Sequence, residues 1–167
     1  MTKIDIFSGF LGAGKTTLLG ILTAQNTHDS GEVTYNGEPV WENPKALADL
    51  CFSRELQATL FYGQNNLKVR HYLQAGATFY PRWDEELYQK MRAEFELPDR
   101  KIKELSKGQQ KILSFLMAFC CRPRLLILDE PTANLDPSVR HRLLGYLRRY
   151  MEDEGNTILY STHITGD

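Results

Sequence analysis

Gly9-Phe10-Leu11-Gly12-Ala13-Gly14-Lys15-Thr16 is a GxxxxGK[ST] loop. It follows the apolar run Lys3-Ile4-Asp5-Ile6-Phe7 and leads into a segment where Leu18, Ile21 and Leu22 recur at helical spacing. The order strand, glycine loop, helix has a physical reason. Glycines let successive backbone N–H groups curl around a phosphate, and the helix N-terminus behind them favours its negative charge. In such a loop Lys15 reaches the β- and γ-phosphates, and the Thr16 hydroxyl ligates Mg2+. Gly9, Phe10, Leu11, Gly12, Ala13, Gly14, Lys15, Thr16 and Thr17 are therefore the candidate nucleotide-binding residues, on a helix expected from about Lys15 to Gln25.

Far along the chain, Leu125-Leu126-Ile127-Leu128 is a short, wholly apolar run of the kind that forms a parallel strand buried on both faces. It delivers Asp129 at its C-terminal end, the edge where open α/β sheets bind ligands. A carboxylate there can hold Mg2+. Glu130 follows immediately and can polarise an attacking water as general base.

Between these two stretches, Asn36-Gly37 sits between Glu32-Val33-Thr34-Tyr35 and Glu38-Pro39-Val40 and signals a hairpin with a type I′ turn. Leu50-Cys51-Phe52-Ser53 reads as a further strand. From Pro81 and Asp84 onward, Leu87, Met91 and Phe95 recur every four residues until Pro98, marking an amphipathic helix. A helix from about Lys107 to Cys121 precedes the apolar strand. After it, Asp136 is expected to cap a helix with Pro137 in its first turn and Val139, Leu143, Leu147 and Tyr150 on its inner face. Thr157-Ile158-Leu159-Tyr160 is the closing strand. The alternation specifies an α/β fold with a mostly parallel sheet.

The chain has 167 residues, with Lys plus Arg 20 against Asp plus Glu 21 and a net charge of −1. That balance provides no basic field, so nucleic acid is not an expected partner. The most apolar stretch, from Ile112 to Cys121, is too short to cross a bilayer, and the chain is expected to be soluble. Lys3 and Asp5 at the start argue against a signal peptide. Cys51, Cys120 and Cys121 lack metal-ligand spacing and are expected to be buried thiols. Trp41, Trp83 and Tyr80 are expected to pack within the helical region, and Arg122, Arg124, Arg148 and Arg149 to be solvated or helix C-terminal charges.

With these residues in view, the sequence resembles the ATP-binding cassette (ABC) ATPases, a family of P-loop NTPases. Leu105-Ser106-Lys107-Gly108-Gln109 is similar to their LSGGQ signature, with Lys107 in place of the first glycine. Ala133-Asn134-Leu135-Asp136 resembles the D-loop, and His163 in Tyr160-Ser161-Thr162-His163 resembles the switch histidine. The resemblance implies one nucleotide-binding domain over residues 1–167, with an α/β core (1–55 and 106–167) and a helical insertion (56–105). It implies ATP and Mg2+ as ligands, Thr16 and Asp129 at the metal, and Glu130 and His163 as catalytic residues. Two cassettes, as a homo- or heterodimer, would pack head to tail. Ser106, Gly108 and Gln109 of one would then meet the nucleotide held by the other. The implied role is the ATP-hydrolysing subunit of a transporter, cytoplasmic and peripheral on the inner face of the membrane, with separate transmembrane permease subunits.

Departures from the family pattern are expected to matter. Only eight residues precede Gly9, and neither Phe7 nor Phe10 stands where the family's adenine-stacking ring would be. The chain stops four residues after His163, so the cassette is expected to be incomplete at both ends. Glu55 and Gln57 both compete for the position of the family's glutamine sensor of Mg2+. Met1 to Leu19 alone also resembles the start of CobW-type P-loop GTPases. A CobW-like GTPase or metallochaperone, and a soluble ABC ATPase outside transport, are the alternative functions.

Overall fold

Four strands build the central sheet of the computed structural model, which describes residues 3–8, 14–54, 56 and 67–162. The expectations for residues 9–13, for Glu55 and Gln57, and for His163 fall outside the described residues. The strands are β1 (Lys3–Ser8), β4 (Leu50–Ser53), β5 (Leu125–Asp129) and β6 (Thr157–Thr162). Their order is β1-β6-β5-β4, and every pairing is parallel. Parallel pairing brings the C-terminal ends of all strands to one edge. β1 ends at Ser8 there, and Asp129 lies in register with Ser161 at the same edge. Leu126, Ile127 and Leu128 are fully buried, as an apolar run covered on both faces requires.

The hairpin forms as the Asn-Gly pair dictates. β2 (Thr34–Tyr35) pairs antiparallel with β3 (Glu38–Pro39), and Asn36 (φ 52°) and Gly37 (φ 84°) both take the left-handed conformation of a type I′ turn. A short helix that the periodicity did not reveal, α2 (Pro44–Asp49), follows it. Its start is nevertheless written in the sequence. The Asn43 side chain accepts hydrogen bonds from the N–H groups of Lys45 and Ala46, and Pro44 opens the first turn.

The helix behind the glycine loop, α1 (Lys15–Leu22), is shorter than the apolar spacing predicts and turned differently. Leu18 is 46% exposed, whereas Leu19 is 2% exposed and carries the packing. The Thr23 hydroxyl bonds back to the Leu19 carbonyl (2.9 Å), and the N–H of Gln25 turns back to Gly20 (2.8 Å). These bonds end the helix three residues before Gln25.

Among the described residues, two α-helices lie between β4 and the next core helix: α3 (Val69–Phe79) and α4 (Glu85–Glu94). Asp84 caps α4 by accepting from the Leu87 N–H (2.8 Å), with Glu85 and Glu86 complementing the helix dipole. Met91 and Phe95 are buried as the four-residue spacing implies, Leu87 on the same spacing is half-buried, and Tyr88, outside it, is buried as well. They meet α5 (Lys107–Cys120) and α6 (Pro137–Glu152) in a common core. Phe115 and Phe119 stack there at 5.8 Å, and Phe119 meets Tyr150 edge-on at 6.0 Å. The three cysteines are buried thiols, and burial pushes Cys120 up to about 12. Trp83 packs against this core, but Trp41 is 47% exposed in the loop before α2.

One expectation about charged residues changes and another is extended. Asp136 does not cap α6 with its side chain. Its carbonyl accepts from Arg140 (2.9 Å), while Pro137, lacking an N–H, begins the helix with preset φ. Arg122, expected as a solvated or helix C-terminal charge, stays 42% exposed at the end of α5 and is in addition a tie. Its guanidinium pairs with Asp84 (2.7 Å) and Asp153 (3.4 Å), from the left-handed conformation that ends α5. Beside it Arg82 donates to the carbonyl of Arg122 (2.9 Å) and pairs with Asp49 (2.6 Å). The two arginines join the segment between α3 and α4 to the ends of α2, α5 and α6.

Burial raises the Asp84 carboxyl, but the Leu87 N–H and the Arg122 guanidinium outweigh it and hold the pKa below the usual value. A depressed pKa contributes stability that is complete above the unfolded value of about 3.9 and is lost as pH falls through the folded one. Asp84→Asn keeps the cap and removes the charge. Urea midpoints measured from pH 7 to pH 2 should show the variant less stable than the parent at neutral pH, with the gap closing below about pH 4. A gap that stays constant across that range would count against the ion pair.

Candidate active site

The site begins with the left-handed Gly14 (φ 73°), the residue that caps α1. A side chain added there would meet no neighbour, so it is the positive φ that calls for glycine. The Leu18 N–H reaches back to the Gly14 carbonyl (2.9 Å). The N–H groups of the first turn, Lys15 to Thr17, have no partner within the helix, which makes this end the one that favours an anion.

One hydrogen bond joins the two halves of the motif series. The Thr16 hydroxyl donates to the Asp129 carboxylate at 2.5 Å, across 113 residues of sequence. Thr16 is exposed and Asp129 half-buried, so the pair lies at an accessible rim of the sheet. A hydroxyl and a carboxylate are hard oxygen donors of the type Mg2+ prefers, and a few ligands plus water satisfy that ion. The donor set therefore fits Mg2+.

Glu130 follows Asp129 with a positive φ of 48°, strained for a residue with a side chain. This kink stops the strand and turns the chain away from the sheet. Contacts with β6 and α5 hold the turn behind it. The Glu130 N–H donates to the Ser161 carbonyl (2.9 Å), and the Thr132 hydroxyl is hydrogen-bonded to the Tyr160 hydroxyl (2.9 Å). On the other side, the Lys111 ammonium donates to the carbonyls of Glu130 (2.9 Å) and Ala133 (2.5 Å).

The other expected contacts form a second cluster at the start of α5. Ser106 caps the helix in a reciprocal box: its hydroxyl accepts from the Gln109 N–H (3.2 Å), and the Gln109 side chain accepts from the Ser106 N–H (3.0 Å). Gly108 is half-buried, with the Leu135 side chain nearby. Ser106 and Gln109, singled out as ligand contacts, therefore already have a local function: they present the N-terminus of a 14-residue helix to whatever lies beyond it.

Thr16, Asp129 and Glu130 thus come together as the motif order requires, with Ser106, Gly108 and Gln109 grouped on α5. Lys111, Thr132 and Tyr160 were not anticipated. For Lys111 the one available signal was its position, a cation immediately before the apolar run that begins at Ile112.

The ABC transporter family profile matches residues 4–133. That match includes nearly all of the stretch resembling CobW-type GTPases. The chain is 29% identical over 164 residues to the ABC transporter ATP-binding protein YtrB of Bacillus subtilis (strain 168), covering 96% of this chain and 55% of the relative. It is 34% identical over 164 residues to the molybdate/tungstate import ATP-binding protein WtpC of Thermococcus kodakarensis, covering 95% and 48%. The chain therefore spans about half the length of these curated relatives. Among solved structures, an ATP-binding subunit of an ABC transporter superposes with a TM-score of 0.76 at 26% identity, over 98% of this chain and 68% of that one. The structure of cbiO1 from Clostridium perfringens, at 22% identity and a TM-score of 0.65, shares the fold over 97% of this chain and 67% of its own. With more than half of its length matched by that profile, this chain belongs to the ABC transporter family.

Proposed function

We propose that the chain binds and hydrolyses ATP as the nucleotide-binding part of an ABC transporter, powering transport through separate transmembrane subunits. The observation that carries this reading is the Thr16–Asp129 hydrogen bond, which unites a phosphate-binding helix with an acid on a buried strand. ATP binding follows from family membership. Residues 1–167 form one nucleotide-binding domain, with a core of 1–55 and 106–167 and a helical insertion of 56–105.

In this reading residues 9–13 and Gly14 wrap the phosphates with their N–H groups, and Lys15 and Thr17 complete the cradle. Thr16 and Asp129 hold Mg2+, which when bound offsets phosphate charge as it develops. Glu130 accepts a proton from the attacking water, and His163 hydrogen-bonds the γ-phosphate. Ser106, Gly108 and Gln109 present the N-terminus of α5 to the nucleotide of a second cassette, whose negative charge the helix dipole favours. The partners are that second cassette and permease subunits at the inner face of the membrane. Among the described residues no helix is long and apolar enough to cross a membrane.

Two variants test the assignment. Lys15→Ala should abolish ATP binding measured by titration calorimetry, since the phosphate loses its charge-assisted donor; unchanged affinity would overturn the phosphate-loop reading. Glu130→Gln should bind ATP as the parent does yet hydrolyse it about a hundredfold more slowly or worse, the range for loss of a general base. Light scattering of that variant should show a dimer with Mg-ATP and none with Mg-GTP. A monomer under both conditions would exclude the two-cassette site, and a dimer with GTP would restore the GTPase alternative.

A further inference from the structure

We infer that Lys111 is a positioning residue for hydrolysis: its ammonium holds the backbone turn that carries Glu130, without touching nucleotide. The inference rests on the reading of Glu130 as the base, and three observations support it.

The first is the pair of short contacts. The Lys111 Nζ donates to the carbonyl of Glu130 itself and to that of Ala133, three residues on. Both are charge-assisted, about twice the strength of a bond between neutral groups. Lys111 is half-buried, so water competes poorly for those carbonyls.

The second is the conformation being held. Glu130 (φ 48°) and Asn134 (φ 60°) both lie in the left-handed region, one at each end of the clamped segment. Side-chain-bearing residues persist there only when their surroundings enforce it. β6 fixes the turn by way of the Glu130 N–H and the Thr132 hydroxyl. Lys111 takes the carbonyls on the opposite side. Releasing the Glu130 carbonyl lets its left-handed backbone relax, and a change in that φ swings the Glu130 side chain.

The third is the helix Lys111 belongs to. It sits just over one turn from the Ser106–Gln109 cap and directly before Ile112 and Leu113, which are anchored in the core. The ammonium is therefore delivered from a rigid support.

Lys111→Met keeps the volume of the side chain and removes its donors; Lys111→Arg restores a donor. With the full chain, Lys111→Met should lower kcat about tenfold to a hundredfold, as ångström-scale misplacement does, while KM for ATP stays within about twofold. Hydrogen exchange of the same protein without nucleotide should quicken at residues 132–135 and stay unchanged in β5 and β6. Lys111→Arg should recover most of the turnover and the protection. Wild-type exchange at 132–135 in Lys111→Met would overturn the clamp, as would a change in KM with kcat intact or an Arg variant no better than Met. Glu130→Gln measured alongside separates the two assignments. If it turns over at the parent rate, the base is misassigned, and the exchange data still decide whether Lys111 holds the turn.

Discussion

β5 is paired on both edges and covered on both faces, and Leu126, Ile127 and Leu128 are fully buried. Burying each of these side chains contributes about 1.5–3 kcal/mol, so the strand has no competitive alternative position or register. A slip of one residue would exchange its two faces and move Asp129 off the rim. Everything chemical in the molecule depends on that constraint. β6 aligns in parallel on one side and carries β1 with it, and the shared direction of the strands gathers the end of β1 and the acid at one edge. The Thr16–Asp129 contact is then a consequence of sheet geometry rather than a feature that has to be assembled separately.

The helices around this sheet are attached in two chemically different ways. α4, α5 and α6 share an apolar core in which Phe119 touches Phe115, Tyr146 and Tyr150. The segment between α3 and α4 adds ionic ties to the packing of Trp83, through Arg82 and Arg122 to Asp49, Asp84 and Asp153. Those guanidinium groups are partly exposed, and each such pair contributes at most about 1 kcal/mol. Their value is directional: Arg82 and Arg122 also meet backbone carbonyls or helix caps, so they set the angle at which this segment meets the core. α5 belongs to the apolar group, and its capped N-terminus is therefore as firmly oriented as the strands.

What could be read from the sequence follows the range of the interaction that determines it. Asn36-Gly37, Pro137 and the apolar run of β5 are decided by φ preferences or by burial within a few residues, and they stand where expected. The position of Asp129 is legible for the same reason, since the apolar run fixes where β5 ends. Errors arise where a distant partner decides. Leu18 and Leu19 are equally apolar, and only the position of α1 over the sheet selects Leu19 for burial. Asp136 has the right identity for a cap, yet the backbone carbonyl alone serves. Arg122 has the composition of a solvated charge and stays partly exposed; its partners, unforeseen, lie 38 and 31 residues away.

The same division runs through the site itself. Atoms proposed to meet phosphate or metal sit on locally specified structure: a helix N-terminus, a glycine in the left-handed region, the end of an apolar strand. The residue proposed to move a proton sits on a turn whose shape is unfavourable by itself and is imposed from β6 on one side and α5 on the other. Binding nucleotide demands a durable cradle, which local structure supplies cheaply. Hydrolysis demands that one carboxylate keep a direction, and a strained turn held by a half-buried cation and a buried hydroxyl pair has few ways to relax. A turn of this kind links Glu130 to the helix that begins at Ser106, so the two halves of the motif series share a mechanical connection as well as an edge of the sheet.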